Sequence, residues 1–208
     1  AHKMLSEKWR RTLSTVEWLA AQIPLESQFQ LYAFNTKAWA LVEGSEGKWL
    51  KTNDPNALSE AISNLRKTIP KDGTSIENLF VTMAALNPRP DNVILITDGL
   101  PTQGASPPLV RKTIDGDDRL KLFDRAFAKY PRNVPLNVIL MPMEGDPSAP
   151  SAFWLASRRT GGSSTSGSSH ACGCEQRRWP DAASTPPPAC AVRRTPHSQS
   201  GSPIEVDM

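Results

Sequence analysis

Apolar residues recur along the first 160 positions in two periods, one typical of helices and one typical of strands. Near the amino terminus, apolar residues at steps of three and four predict a helix that ends before Pro24. Its apolar face consists of Leu5, Trp9, Leu13, Val16, Ala20 and Ile23. Two apolar runs, 29–36 and 38–44, follow with a short turn between them, and they predict a β-hairpin.

A second helix is predicted between Asp54 and Pro70. Asp54 is a favourable N-cap residue, and Pro55 suits the first helical position because it lacks an N–H that would need a partner. The predicted buried stripe of this helix is Leu58, Ile62, Leu65 and Ile69.

The pattern then alternates between helices and strands. Stripes at helical spacing predict three more helices, within 72–86, 120–130 and 148–159, and two nearly continuous apolar runs, 93–96 and 135–142, lie between them. Strands that are apolar throughout belong to parallel sheets covered on both faces. The sequence therefore predicts an α/β fold with a doubly wound, mostly parallel open sheet and helices on both faces.

The composition changes abruptly near Gly161. From there to Met208 leucine and phenylalanine are absent, while serine, proline, arginine and alanine dominate. Such a segment buries too little apolar surface to offset its ordering entropy, so we expect a domain at 1–160 and a disordered tail at 161–208. A linker to a further domain is one interpretation of the tail. The product of a shifted reading frame is the one we favour, because FWLASRRTGG reads as the approach to another strand that does not follow.

Charge and hydropathy exclude two classes of function. The 24 basic and 21 acidic residues give a formal net charge of only +3, and the basic residues are scattered, which does not indicate a nucleic-acid surface. No apolar run approaches the roughly 18 residues of a membrane span.

The three cysteines, Cys172, Cys174 and Cys190, all lie in the tail, close to His170 and His197. Their spacing is not that of a zinc finger, so we interpret them as an accidental cluster, with a metal site as the alternative.

The stretch VILITDGLPTQG, residues 93–104, places a carboxylate directly after an apolar strand. Asp98 therefore lies at the carboxyl end of that strand, where ligands bind in open α/β sheets. Thr74 follows the Asp72-Gly73 turn and begins the preceding helix, whose amino terminus is expected at the same edge. A carboxylate and a hydroxyl are suitable ligands for Mg²⁺, so Thr74 and Asp98 are the candidate metal ligands.

The segments GTSIENLF and NVILITDGLPTQG resemble parts of a von Willebrand factor type A (VWA) domain, and the resemblance extends over roughly residues 3–160. It implies a Rossmann-like fold and a metal-ion-dependent adhesion site built from an Asp-x-Ser-x-Ser loop, a threonine and an aspartate. Thr74 matches the threonine and Asp98 the aspartate. The family's bacterial members are often tethered to a membrane by an upstream segment, so the compartment stays open.

The Asp-x-Ser-x-Ser loop has no match in this chain, which begins almost on the family's first helix. The resemblance places the missing first strand at the centre of the sheet, between the strands at 29–36 and 92–97. We therefore expect an incomplete domain with an unstable gap in its sheet and impaired binding of Mg²⁺.

Each candidate ligand also has a purely local interpretation. Thr74 with Glu77 three residues later forms a capping-box pattern, and Asp98-Gly99 is an ordinary turn pair. Only their combination, with the right helix and strand between them, favours a shared site. Asp115, Asp117 and Asp118 are predicted to be helix-starting charges, and Trp9, Trp18, Trp39, Trp49 and Trp154 to be core or half-buried residues.

Two classes of function follow. The favoured one is a non-enzymatic protein-binding module, in which an acidic side chain of a protein partner completes the coordination of Mg²⁺. The alternative is a Rossmann-like Mg²⁺-dependent hydrolase that uses Asp98 in phosphoryl transfer. The sequence contains neither a Gly-x-Gly-x-x-Gly motif nor a P-loop, which favours the binding module.

Overall fold

A computed structural model of the protein describes residues 2–69, 72–107, 114–141, 145–166 and 201–207. Its helices are α1 His2–Gln22, α2 Pro55–Lys67, α3 Ile76–Ala84, α4 Gly116–Phe127 and α5 Ala149–Thr160. Its strands are β1 Gln28–Phe34, β2 Ala38–Ala40, β3 Leu50–Lys51, β4 Val93–Thr97, β5 Leu136–Leu140, β6 Ser164–Ser166 and β7 Gly201–Asp207.

The strands of the described residues form one sheet in the order β2-β1-β7-β4-β5-β6, with β3 also paired to β1. β2 and β3 run antiparallel to β1, so the predicted hairpin is present, although its second strand is only three residues long. All other pairings are parallel. The mostly parallel sheet confirms the predicted fold class.

Helices cover both faces of the sheet. On one face, α1 and α2 contribute Val16, Ala61 and Leu65 to a core that also contains Leu31 and Ile96. On the other face, α3, α4 and α5 pack against alternate residues of the same strands. That core includes Phe80, Phe123, Phe153, Tyr32, Leu95 and Val138. Leu95 and Ile96 are neighbours in β4 that enter opposite cores, as the two-residue period of a strand requires.

The local start signal of α2 is confirmed. Asp54 Oδ1 accepts hydrogen bonds from the backbone N–H groups of Asn56 at 3.0 Å and Ala57 at 3.4 Å. The predicted stripe extends too far, because α2 ends at Lys67 and Ile69 is 74% exposed.

The aspartates before α4 also have their predicted role. Asp115 is the N-cap and accepts from the N–H of Asp118 at 2.8 Å, and Asp117 and Asp118 lie in the first turn. Their charges face the positive end of the helix dipole.

The tryptophan prediction holds only in part. Trp9, Trp39 and Trp49 are partly buried against the two cores. Trp18 and Trp154 are 63% and 55% exposed, so their interpretation as core or half-buried residues is wrong. Both lie on helices in which other residues are fully buried, namely Val16 in α1 and Phe153 in α5.

The tail predicted at 161–208 contains two segments that the structure describes as strands. Residues 164–166 form β6, which pairs with β5, and residues 201–207 form β7 at the centre of the sheet. A composition averaged over 161–208 overlooks short stretches that need only their backbone groups to join a sheet. The cysteine cluster lies outside the described residues.

The expected gap in the sheet is filled. β7 runs parallel to both neighbours, with residues 201–207 in register with 28–34 and with Ile204 and Val206 opposite Ile94 and Ile96. The prediction of an empty central position is therefore wrong, because a segment distant in sequence pairs with the backbone of β1 and β4.

Among the described residues, no helix combines the length and the apolar character needed to cross a membrane.

Candidate site at the carboxyl edge of the sheet

Asp98 is the first residue after β4, and a local bend fixes its position. The hydroxyl of Thr97 donates to the carbonyl of Gly99 at 3.0 Å, and the N–H of Gly99 lies 3.4 Å from the same hydroxyl oxygen. These contacts on either side of Asp98 turn the chain as soon as the strand ends. The predicted turn at Asp98-Gly99 and the predicted place at the carboxyl edge are therefore compatible.

The carboxylate of Asp98 lies in a charged and largely desolvated environment. Its side chain is 35% exposed, and Oδ2 is 3.8 Å from the Nζ of Lys8 on α1. Burial raises the pKa of Asp98 above its ordinary value of 3.8, while the positive charges of Lys8 and Arg119 act against that rise and the negative charge of Asp146 adds to it.

Thr74 is attached through its backbone to the loop that carries Asp98. Its N–H donates to the hydroxyl of Thr102 at 2.8 Å, and its carbonyl accepts from the N–H groups of Thr102 at 3.0 Å and Gln103 at 3.1 Å. A Cβ on Gly73 would lie 2.7 Å from the Thr102 hydroxyl, so the close approach of the two loops favours glycine there. The structure thus places Thr74 on a loop that is hydrogen-bonded to the loop of Asp98.

The capping-box interpretation of Thr74 is wrong by one residue. Ser75 is the N-cap of α3, and its hydroxyl accepts from the N–H of Asn78 at 3.3 Å and donates to the carbonyl of Gly104 at 2.9 Å. The carboxylate of Glu77 accepts from the N–H of Ala105 at 3.1 Å instead of closing a box. The amino terminus of α3 is consequently bound to the 102–105 loop by side-chain hydrogen bonds.

A buried ion pair supports the same loop from the opposite side. Asp146 Oδ2 is 3.0 Å from Arg119 Nη2, and the side chains are only 1% and 12% exposed. The same Oδ2 accepts from the N–H of Leu100 at 2.7 Å. Arg119 donates through Nε to the Leu100 carbonyl at 3.1 Å and through Nη2 to that carbonyl as well. Both backbone groups of Leu100 are therefore bound by one pair of charged side chains.

Gly99 has no room for a side chain in this arrangement. A Cβ there would lie 2.6 Å from Asp146 Oδ2 and 3.0 Å from Arg119 Nη2. Gly99 thus lets the ion pair pack closely against the backbone, and it also takes part in the bend after β4.

Sequence reasoning missed Arg119 and Asp146. A signal for Asp146 was available, because it follows β5, whose carboxyl end lies beside that of β4 in a parallel sheet. Arg119 carried no comparable signal, since a basic residue in the first turns of an amphipathic helix is ordinarily solvated.

The described residues do not fit a Mg²⁺ ion well. Mg²⁺ requires near-octahedral coordination by six oxygens. Among the described residues, only Thr74 and Asp98 were predicted as side-chain ligands. The two carboxylates of the cluster, Asp98 and Asp146, already face Lys8 and Arg119. The described part of the chain contains no group of three or more His, Cys, Asp or Glu residues that could hold a metal ion.

No protein-family profile and no curated protein matches this chain. Among solved structures, it is similar to von Willebrand factor type A from Catenulispora acidiphila, with 12% sequence identity and a TM-score of 0.41. The alignment covers 76% of this chain and 38% of that chain, so this protein corresponds to well under half of its length.

Proposed function

We propose that this chain is a non-enzymatic protein-binding module of the VWA type, which contacts a protein partner through the carboxyl edge of its sheet. Asp98 is the central contact residue of the proposed surface. The observation that carries the proposal is that this partly exposed carboxylate is held on a loop whose backbone is fixed by the buried Arg119–Asp146 pair.

Rigid support of the loop favours binding. A partner that contacts a preorganised loop loses less conformational entropy than one that must order the loop first. The loop after β4 is bound to Arg119 and Asp146 at Leu100 and to Thr74 at Thr102. Asp98 lies between the end of β4 and the first of these attachments, two residues before Leu100, and about a third of its side chain is accessible.

The family resemblance supplies the type of partner. In VWA domains an acidic side chain of the partner completes the coordination of a metal at this edge, and Thr74 and Asp98 are the residues here that match the motif. Because the loop that supplies the other ligands has no match, we propose that the site is a remnant that binds Mg²⁺ weakly, in the millimolar range or worse.

A capture experiment tests the proposal. The full chain is immobilised and incubated with a lysate of the source cells, and retained proteins are compared between the unchanged chain, Asp98→Asn and Asp117→Asn. Asp117 is a control of the same type at an exposed position in the first turn of α4. We expect a set of proteins retained by the unchanged chain and by Asp117→Asn but lost with Asp98→Asn.

Two results would contradict the proposal. One is an identical set of retained proteins for Asp98→Asn and the unchanged chain. The other is Mg²⁺-dependent hydrolysis of a phosphate ester by the unchanged chain that Asp98→Asn abolishes, which would favour the hydrolase alternative.

A further inference from the structure

Lys8 is unusually enclosed for a lysine at the edge of a sheet. Its side chain is only 21% exposed, and its Nζ lies 3.8 Å from Asp98 Oδ2. Lysine is almost never buried unless its charge is paired. The contact joins the first helix to the loop after β4, so Lys8 reaches into the candidate site from an element that carries neither predicted ligand.

The charges around Asp98 balance without a metal. Asp98 and Asp146 contribute two negative charges, and Lys8 and Arg119 contribute two positive ones, each within 4 Å of a carboxylate. Adding a divalent cation beside Asp98 would leave this cluster with two excess positive charges. The ammonium of Lys8 would repel that cation, because it lies 3.8 Å from a carboxylate oxygen of Asp98, the predicted ligand.

Building on the proposed function, we propose that Lys8 is a built-in counter-ion that takes the place of the divalent cation at Asp98. The site then operates without a metal, and the exposed part of the Lys8 ammonium is available to an acidic side chain of the partner. Capture of partners that depend on Asp98 is consequently insensitive to a chelator, but it weakens with added salt and with loss of the Lys8 charge.

The test uses Mn²⁺ as a spectroscopic probe and needs no partner. Binding of Mn²⁺ to the full chain is measured by the loss of the free-ion electron paramagnetic resonance signal. Four chains are compared: the unchanged chain, Lys8→Met, Lys8→Met with Asp98→Asn, and Lys51→Met. Methionine keeps the length and helix preference of lysine without its charge, and Lys51 is an exposed lysine on β3.

We expect Lys8→Met to bind Mn²⁺ about tenfold more tightly than the unchanged chain, since removing one positive charge about 5 Å from a divalent ion relieves a repulsion of that order even in water. The gain should disappear in the double variant, and Lys51→Met should behave as the unchanged chain does. Thermal unfolding of each variant confirms that the chains compared are folded.

Equal Mn²⁺ affinity of Lys8→Met and the unchanged chain would overturn the proposal. So would binding tighter than millimolar by the unchanged chain, a measurement that stands even if Lys8→Met fails to fold. The first outcome concerns the counter-ion alone, and the second also contradicts the proposed weak binding of Mg²⁺, but neither outcome tests partner capture through Asp98. Loss of the proposed function would instead appear as partner capture that does not depend on Asp98.

Discussion

The carboxylate of Asp146 accepts a hydrogen bond from the backbone N–H of Leu100 at 2.7 Å, although 46 positions separate the two residues. The contact joins the segment after β5 to the loop after β4, and Arg119 pairs with the same carboxylate oxygen. The other oxygen, Asp146 Oδ1, is buried with no hydrogen-bond partner among the described residues. The position of the Asp98 loop therefore depends on a charged pair almost entirely removed from water.

Asp146→Ala should lower the free energy of unfolding by about 3–5 kcal/mol, because removing one partner leaves the charge of Arg119 buried and unpaired. Urea unfolding of the full chain measures the change. Asp117→Ala, at an exposed aspartate near Arg119 in sequence, should change stability by less than about 0.5 kcal/mol. A loss of less than about 1 kcal/mol in Asp146→Ala would show that water reaches the pair and that the ion pair does not fix the loop.

Gly99→Ala should destabilise the chain by about 1–3 kcal/mol, the usual cost of an additional carbon in a well-packed position. The new Cβ would lie 2.6 Å from Asp146 Oδ2 and would push the ion pair away from Leu100. Gly116→Ala is the matched control, because nothing lies within 4 Å of its Cβ position at the start of α4. Equal stability of the two variants would contradict the close packing of Gly99.

The free energy of unfolding should depend on pH through the titration of Asp98. Burial raises the pKa of Asp98 above 3.8, so the folded chain binds this proton more tightly than the unfolded chain does. The resulting stabilisation is complete below about pH 3.8 and is lost as the pH rises through the folded-state pKa. We therefore subtract the unfolding free energy of Asp98→Asn from that of the unchanged chain. We expect this difference to decrease as the pH rises through this window.

Denaturant titrations of both chains at a series of pH values check that sign. Asp117→Asn, measured in parallel, corrects for the general effect of removing a negative charge. A difference that rises with pH would mean that the attraction of Lys8 and Arg119 outweighs burial, and that the pKa of Asp98 is lowered in the folded chain.

Features that depend on neighbouring residues were predictable from the sequence. The Asp54-Pro55 start of α2 and the apolar run of β4 each contain their own signal, and the order of helices and strands was enough for the α/β class. The placement of Asp98 at a strand end followed from the same reasoning. Ser75 displaced Thr74 as the N-cap because adjacent hydroxyl residues have similar capping preferences, and tertiary contacts decide between them.

Features that depend on distant residues were not predictable in this way. The contacts of Asp146 with Leu100 and of Lys8 with Asp98 join separate elements, and no local pattern marks either partner. The same reason accounts for β7. Its pairing with residues 28–34 is set by the backbone of strands more than 100 positions away, whereas the composition of its own surroundings indicates disorder.

Amide hydrogen exchange should distinguish the central strand from a disordered tail. Residues 201–207 lie between β1 and β4 and pair with both, whereas residues 164–166 of β6 pair with β5 alone. Opening a central parallel strand breaks the hydrogen-bond ladders to both neighbours, so its amides should exchange at rates that approach those of global unfolding. We therefore expect peptides from 201–207 to be protected as strongly as those from β4, and more strongly than those from β6. Ile204→Pro supplies a second measurement, because proline removes a ladder donor in a central strand and should lower the free energy of unfolding by about 1–3 kcal/mol, the cost of a backbone carbonyl left unpaired. Exchange of 201–207 as fast as in a free peptide, together with a neutral Ile204→Pro, would restore the disordered tail and leave β1 and β4 without their shared partner.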